Sequence, residues 1–298
     1  MSTRQDVPLV HSDRLSPPSR RFMTRLIGYG LLALGAVLYL GPFVIQLANS
    51  WKTDPESALH PLGLLPDPLS TLAWQKAFGF NTQLEVPLAR WIGNSLLVTL
   101  SVTAGRLVID SLAGYALARL RFTGRGLVNG TVLAVLAVPA VVLLIPKFLV
   151  LKQLGMFDSY AGMILPLLCD AVGIMLMKTA FEHVPVELED AARIDGAGVL
   201  RTFVSVVLPL VRPSLITVGI LSFQGSWNEL THFLVATADP KYQTLTLGIA
   251  QLTAGPLQGA QQFPLKLALA TLSTIPVAIV YIVFQRYFVR NQLSSGIK

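Results

Sequence analysis

Val184-Pro185-Val186-Glu187-Leu188-Glu189-Asp190-Ala191-Ala192-Arg193-Ile194-Asp195-Gly196-Ala197-Gly198 is a polar island between two long apolar runs. Pro185 suits a first helical position, and Glu187, Glu189 and Asp190 place negative charge where the helix dipole is positive. Leu188, Ala191 and Ala192 lie three and four apart, on one face. Gly196 can adopt the left-handed conformation that ends a helix. The pattern predicts a short amphipathic helix outside a bilayer, with a small-residue face that fits a shallow groove. A helix lying on the lipid surface fits the same pattern. A second short segment, Val199–Val207, stops before Leu208-Pro209.

The surroundings of this island are those of a membrane protein. Of 298 residues, 53% are hydrophobic and 13% are charged, about half the charged share of a soluble domain. Mean hydropathy is +0.60. Disorder is excluded, and an ordinary soluble enzyme is disfavoured. The net charge of +7 would suggest nucleic acid in a soluble protein. Here lysine and arginine set topology, and no nucleic-acid partner is expected. The single cysteine, Cys169, allows no internal disulfide.

A membrane helix needs about 20 mostly apolar residues. Six stretches qualify: Leu26–Leu47, Ile92–Leu117, Leu127–Leu149, Tyr160–Phe181, Pro213–Phe233 and Leu267–Phe288. Prolines and glycines inside them are tolerated, because neighbouring helices satisfy the freed backbone groups. The first is longer than a signal-peptide core and follows a long polar tail, so it is expected to stay in the protein. Gly28-Tyr29-Gly30 within it reads as helix packing. The expected architecture is therefore all-α and polytopic: a tail over 1–25, a permeating bundle over 26–288 with a connection at 182–212, and a tail over 289–298.

Arginines set the orientation. Arg4, Arg14, Arg20, Arg21 and Arg25 precede the first span; Arg119, Arg121 and Arg125 follow the second; Arg286, Arg290 and Lys298 close the chain. These regions belong on the cytoplasmic side, with both termini. The nearly neutral connections at 49–90, from Lys152 and near Asp239 belong outside. The connection at 182–212 is cytoplasmic by alternation although rich in acids, which contribute little to orientation.

Several chemistries are missing from the sequence. His11, His60, His183 and His232 are scattered singly, so no metal site and no catalytic group is expected. There is no phosphate-binding loop, nucleophile elbow or dinucleotide fingerprint. No internal repeat suggests an inverted-repeat carrier.

Asp190-Ala191-Ala192, then Gly196, then Val206-x-Leu208-Pro209 resembles the EAA loop of binding-protein-dependent ABC importer permeases. Val184–Gly196 resembles the form found in carbohydrate importers, the maltose-permease-like second subunit. Leu112–Phe122, Trp227-Asn228-Glu229, Thr244–Gly248 and Gln285–Arg290 are similar to the same family. The resemblance runs from about Leu26 to Lys298, and Asp190 stands where the motif opens with glutamate. It implies a permease subunit working by alternating access, with Glu189, Asp190, Ala191, Ala192, Asp195, Gly196, Leu208 and Pro209 coupling it to an ATPase. It implies a homologous permease partner, two ATPase subunits that hold ATP and magnesium, an extracytoplasmic solute-binding protein, and a sugar, oligosaccharide or polyol as solute. It implies no cofactor on this chain and an inner-membrane location.

Candidate pathway residues are polar groups in apolar spans, each costing about 2.5–3.5 kcal/mol to insert. Arg106 and Asp110 are four apart and can pair. Asp170 has no local partner and stands beside Gly173. Trp227, Asn228 and Glu229 combine an aromatic face, an amide and a carboxylate, which suit a sugar ring; an interfacial belt is the plainer reading of the Trp. Met175 and Met177 read as apolar filler. Two other classes stay open at this point. A membrane-embedded transferase would need Asp110, Asp170 and Glu229 at one depth. A passive channel or secondary carrier would not need the 184–198 helix.

Overall fold

The computed structural model describes residues 18–80, 86–254 and 262–295. Most of the N-terminal tail with Arg4 and Arg14, the loop residue Glu85, and Lys298 lie outside the described residues. Among those described, the chain is helical with no strand. The helices are α1 (Pro18–Asn49), α2 (Asp54–Leu59), α3 (Leu72–Ala77), α4 (Leu88–Arg119), α5 (Arg125–Leu136), α6 (Leu144–Gln153), α7 (Tyr160–Ile164), α8 (Ala171–Glu182), α9 (Val186–Ile194), α10 (Val199–Thr202), α11 (Leu208–Leu210), α12 (Arg212–Trp227), α13 (Thr231–Ala236), α14 (Leu245–Ala254) and α15 (Phe263–Ser295). A π-helical turn, Phe203–Val207, joins α10 to α11.

Four segments are long and apolar enough to span a membrane unaided: Arg25–Asn49, Leu88–Arg119, Tyr160–Glu182 and Phe263–Gln285. Two bent pairs raise the number to six if each counts as one span. The first corrects the expectation of a continuous helix over Leu127–Leu149. The chain turns by 102° between Arg125–Leu136 and Ala140–Gln153, because Pro139 has no N–H to donate and its ring clashes with the preceding turn. The second pair, Val199–Leu210 with Arg212–Trp227, bends by 84°. The expected span Pro213–Phe233 is likewise shorter. α12 stops at Trp227, and α13 is a separate helix.

α4 is the central element, packed along α8 and α12. The approach to α8 is close at Gly114, where an added methyl carbon would sit 2.8 Å from both the Lys178 backbone nitrogen and the Met177 Cβ. The interior divides into three clusters along the bundle. One gathers Trp91, Phe223, Trp227 and Leu269. A second gathers Val98, Val102, Met163 and Phe233. The third, beneath α9, gathers Tyr115, Met177, Phe181, Phe203 and Val207. Met177 is thus core filler, as expected. α1 is peripheral: it lies along α15, where the Gln46 amide donates to the Thr271 hydroxyl at 3.1 Å. A methyl carbon added at Gly28 or Gly30 would meet nothing within 4 Å, so no other helix among the described residues packs closely on them.

Candidate functional site

α9 forms where the sequence pattern places it. Pro185 is its N-cap (φ −57°) rather than its first helical residue, and Gly196 beyond its end has φ +79°. Asp190, Ala191, Asp195 and Gly196 are exposed, Ala192 is half-buried, and Ile194 is 87% exposed. Leu208 and Pro209 are half-buried, with Leu208 against the third cluster. Glu189 faces the opposite way from the rest of the set. It is buried in the chain's own bundle, with its carboxylate 2.9 Å from the Arg119 guanidinium. The Tyr115 hydroxyl donates to its other oxygen at 3.1 Å. Burying a carboxylate is tolerable only with such partners. Its side chain thus points into the chain's own bundle, while Asp190 beside it is exposed. Arg119 and Tyr115 went unassigned in the sequence because their partner lies about 70 residues away; a terminal arginine also reads as a topology signal.

Arg106 and Asp110 do not hydrogen-bond to each other. Between α7 and α8 the chain leaves the α-helix, passing through a 3-10 turn at Leu165–Leu167. Arg106 Nε donates to the Leu167 carbonyl at 2.6 Å, and Asp110 Oδ1 accepts the Asp170 N–H at 3.1 Å. The two ionisable groups satisfy backbone atoms freed by the break. Asp170, which lacked a partner in the sequence reading, is the N-cap of α8. Its carboxylate accepts the Gly173 N–H at 2.9 Å.

The trio after α12 is split by the structure. Trp227 is 1% exposed and stacks on Phe223, and its indole N–H donates to the Ser273 carbonyl at 3.0 Å. It joins α12 to α15, its large ring held in a dry slot with one acceptor. Glu229 accepts the His232 N–H at 2.7 Å and so starts α13. Of the three, Asn228 lines a cleft of about 790 Å³ between α1, α12, α14 and α15. Gln224, Thr246 and Ser273 line it with Asn228, against walls formed by Phe223 and Tyr281. The structure therefore separates Trp227, Asn228, Glu229 and Asp170 into different roles. Gln224, one turn before Asn228 on the same face, is the polar residue that the sequence reading passed over.

At the opposite end from α9, Asp158 ties two connections together. Its carboxylate accepts from the Thr237 hydroxyl and from the Ala238 and Asp239 N–H groups, at 2.8, 2.6 and 2.9 Å. Burial pushes its carboxyl up; the backbone hydrogen bonds from Asp239 and Ala238, the Thr237 hydroxyl and the charge of Lys152 together outweigh this and hold it below its ordinary value. Among the described residues no group of histidines, cysteines and carboxylates could hold a metal.

An all-α bundle with broken membrane helices, a central helix and a short amphipathic helix displayed at one end is the frame of a transport permease. The chain belongs to the binding-protein-dependent transport system inner membrane components, whose family profile matches residues 110–293. It is 34% identical over 261 residues to the sulfoquinovosyl glycerol transport system permease protein SmoH of Agrobacterium fabrum, covering 87% of this chain and 89% of that one. It is 31% identical over 271 residues to the sn-glycerol-3-phosphate transport system permease protein UgpE of Yersinia enterocolitica, covering 89% and 94%. A chain of a solved bacterial ABC transporter, involved in the import of the acidic polysaccharide alginate, superposes with a TM-score of 0.75. It is 25% identical, over 91% of this chain and 98% of that one. The protein is a multi-pass inner-membrane permease subunit of an ABC importer, and the transferase and passive-channel alternatives are not favoured.

Proposed function

We propose that α9 docks an ATP-hydrolysing subunit through Asp190, Ala191, Ala192, Asp195 and Gly196, while Glu189, Leu208 and Pro209 hold it from behind. The observation that carries this reading is the polarity of α9: one residue is sunk into the bundle, and a small-residue face, with Ile194 beside it, is exposed among the described residues. The chain forms half of a pathway completed by a homologous permease, and two ATPases carry the ATP and magnesium. A solute-binding protein approaches the end that holds Asp158. Both termini and residues 185–208 face the cytoplasm, a reading supported by the arginine distribution. The solute is a sugar, oligosaccharide or polyol. The two permease relatives belong to transport systems for solutes that each contain a glycerol unit, and the cleft presents amides and hydroxyls between aromatic walls, which suits hydroxyls and C–H faces. Asn228 lines that path; Trp227, Glu229 and Asp170 support it structurally.

The test has two arms. Cysteine at position 192 is expected to crosslink to the ATPase subunit in the assembled importer, and Ala192→Trp is expected to abolish ATPase retention. Unchanged assembly and uptake in Ala192→Trp would sink the docking assignment. Asn228→Leu, similar in size and without hydrogen-bonding capacity, is expected to reduce uptake severalfold at normal membrane level. Parental uptake would remove Asn228 from the path.

A further inference from the structure

α9 is nine residues long and is tied to α8 by only three residues. By itself such a segment would swivel when pulled. Two side chains from α4 remove that freedom. Arg119, in the last turn of α4, reaches α8, α9 and the connection between them with one guanidinium. Its Nε meets Glu189 at 2.9 Å, and its Nη2 donates to the Phe181 carbonyl at 2.6 Å and to the Val184 carbonyl. Those carbonyls lie at the end of α8 and just beyond it, where helix acceptors are left without intrahelical donors and a cation is favoured. Tyr115, one turn earlier on α4, donates to Glu189. Its ring meets Phe181 edge-on at 5.5 Å and lies 5.0 Å from Phe203. One turn of α4 is thereby bonded to the end of α8, the middle of α9 and the π-helical turn. Gly114 lets the α4 and α8 backbones touch in the same turn.

We propose that Arg119, Glu189 and Tyr115 are positioning residues that make α4, α8 and α9 one rigid body. Movement imposed on α9 then reaches the α4–α8 pair instead of being lost in the connections at 183–185 and 195–198. This rests on the reading of α9 as the ATPase-docking helix. Glu189 is 1% exposed and Arg119 14%, so the pair sits within the bundle and exchanges little with water. Buried ion pairs of this kind have their best-attested use in fixing registry.

The experiment measures spin-label distances in the complete importer in nanodiscs, in a Cys169→Ser background. Labels sit at Ile194→Cys on α9 and Leu112→Cys on α4, and spectra are taken without nucleotide and with ATP, magnesium and vanadate. The parental distance is expected to be narrow and unchanged by nucleotide. In Arg119→Gln with Glu189→Gln, which removes both charges and leaves no lone buried ion, the distribution is expected to broaden about twofold and to shift with nucleotide. A purely stabilising role would alter yield without creating a nucleotide-dependent shift. A parental distance that moves with nucleotide, or a double variant as narrow and static as the parent, overturns the proposal. Where the double variant does not assemble, Tyr115→Phe keeps the packed ring and loses only the hydroxyl. It is expected to broaden the distribution, and an unchanged width overturns the proposal in that case. Crosslinking at position 192 in the parental importer is read separately. Its absence sinks the docking reading, whereas its presence with a static double variant sinks only the rigid body.

Discussion

Glu189 and Asp158 are carboxylates at opposite ends of the same bundle, and the chain treats them differently. Glu189 lies inside, faced by a guanidinium and a phenol from another helix. Asp158 is half-buried and collects three donors from a single turn, residues 237–239. The first arrangement joins distant elements, and its failure leaves a charge stranded in a dry place. The second shapes a loop locally, and water can replace much of what is lost. The end with α9 is therefore fastened stiffly, while the end with Asp158 is fastened by bonds that can be exchanged.

The largest expected effect comes from stranding the buried charge. Arg119→Ala removes the nearer cationic partner of Glu189, leaving the Tyr115 hydroxyl and Arg193 at 3.9 Å, and should destabilise the chain by up to about 3–5 kcal/mol, seen as a lower unfolding midpoint of the purified complex. A midpoint within a degree of the parent would place Glu189 in water and dissolve the contrast. Next comes the contact that holds α4 to α8. Gly114→Val pushes side-chain carbon into the Lys178 backbone. It should cost about 1–3 kcal/mol by overpacking, measured in the same melt; no loss would mean that the helices separate freely there.

The smallest effect belongs to Asp158. Because its folded carboxyl is held below its ordinary value, the folded turn binds the proton more weakly than the unfolded chain. The stabilisation is present above the unfolded value of about 3.9 and is lost as pH falls through the folded one. Amide-exchange protection at Ala238 and Asp239 should fall in that acid window, and Asp158→Asn should show no such acid step. A parental turn insensitive to acid would show that the carboxylate is not what holds it.

Much of the fold was legible because lipid demands long apolar runs: α1, α4 and α15 follow directly from it. The bend at Pro139 was not, since hydropathy averaged over a window carries no direction. α9 was legible from charge at its start, small residues on one face and Gly196 at its end. The inward turn of Glu189 was not, because only contact with Tyr115 and Arg119 decides which acid of Glu187, Glu189 and Asp190 is buried. Trp227 misled for a related reason. Tryptophan suits a sugar face, a membrane interface and a core slot with one acceptor equally well, and only the Ser273 carbonyl selects the last.

Arg106 and Asp110, near the middle of α4, meet their partners at Leu167 and Asp170, which come 61 and 60 residues later in the chain. At a synthesis rate of about 5–20 residues per second that interval is roughly 3–12 s. During it α4 carries two ionisable groups into lipid at about 2.5–3.5 kcal/mol each, with the backbone atoms that will receive them not yet made. Entry of α4 into lipid before the α7–α8 segment is made would leave both groups without these partners.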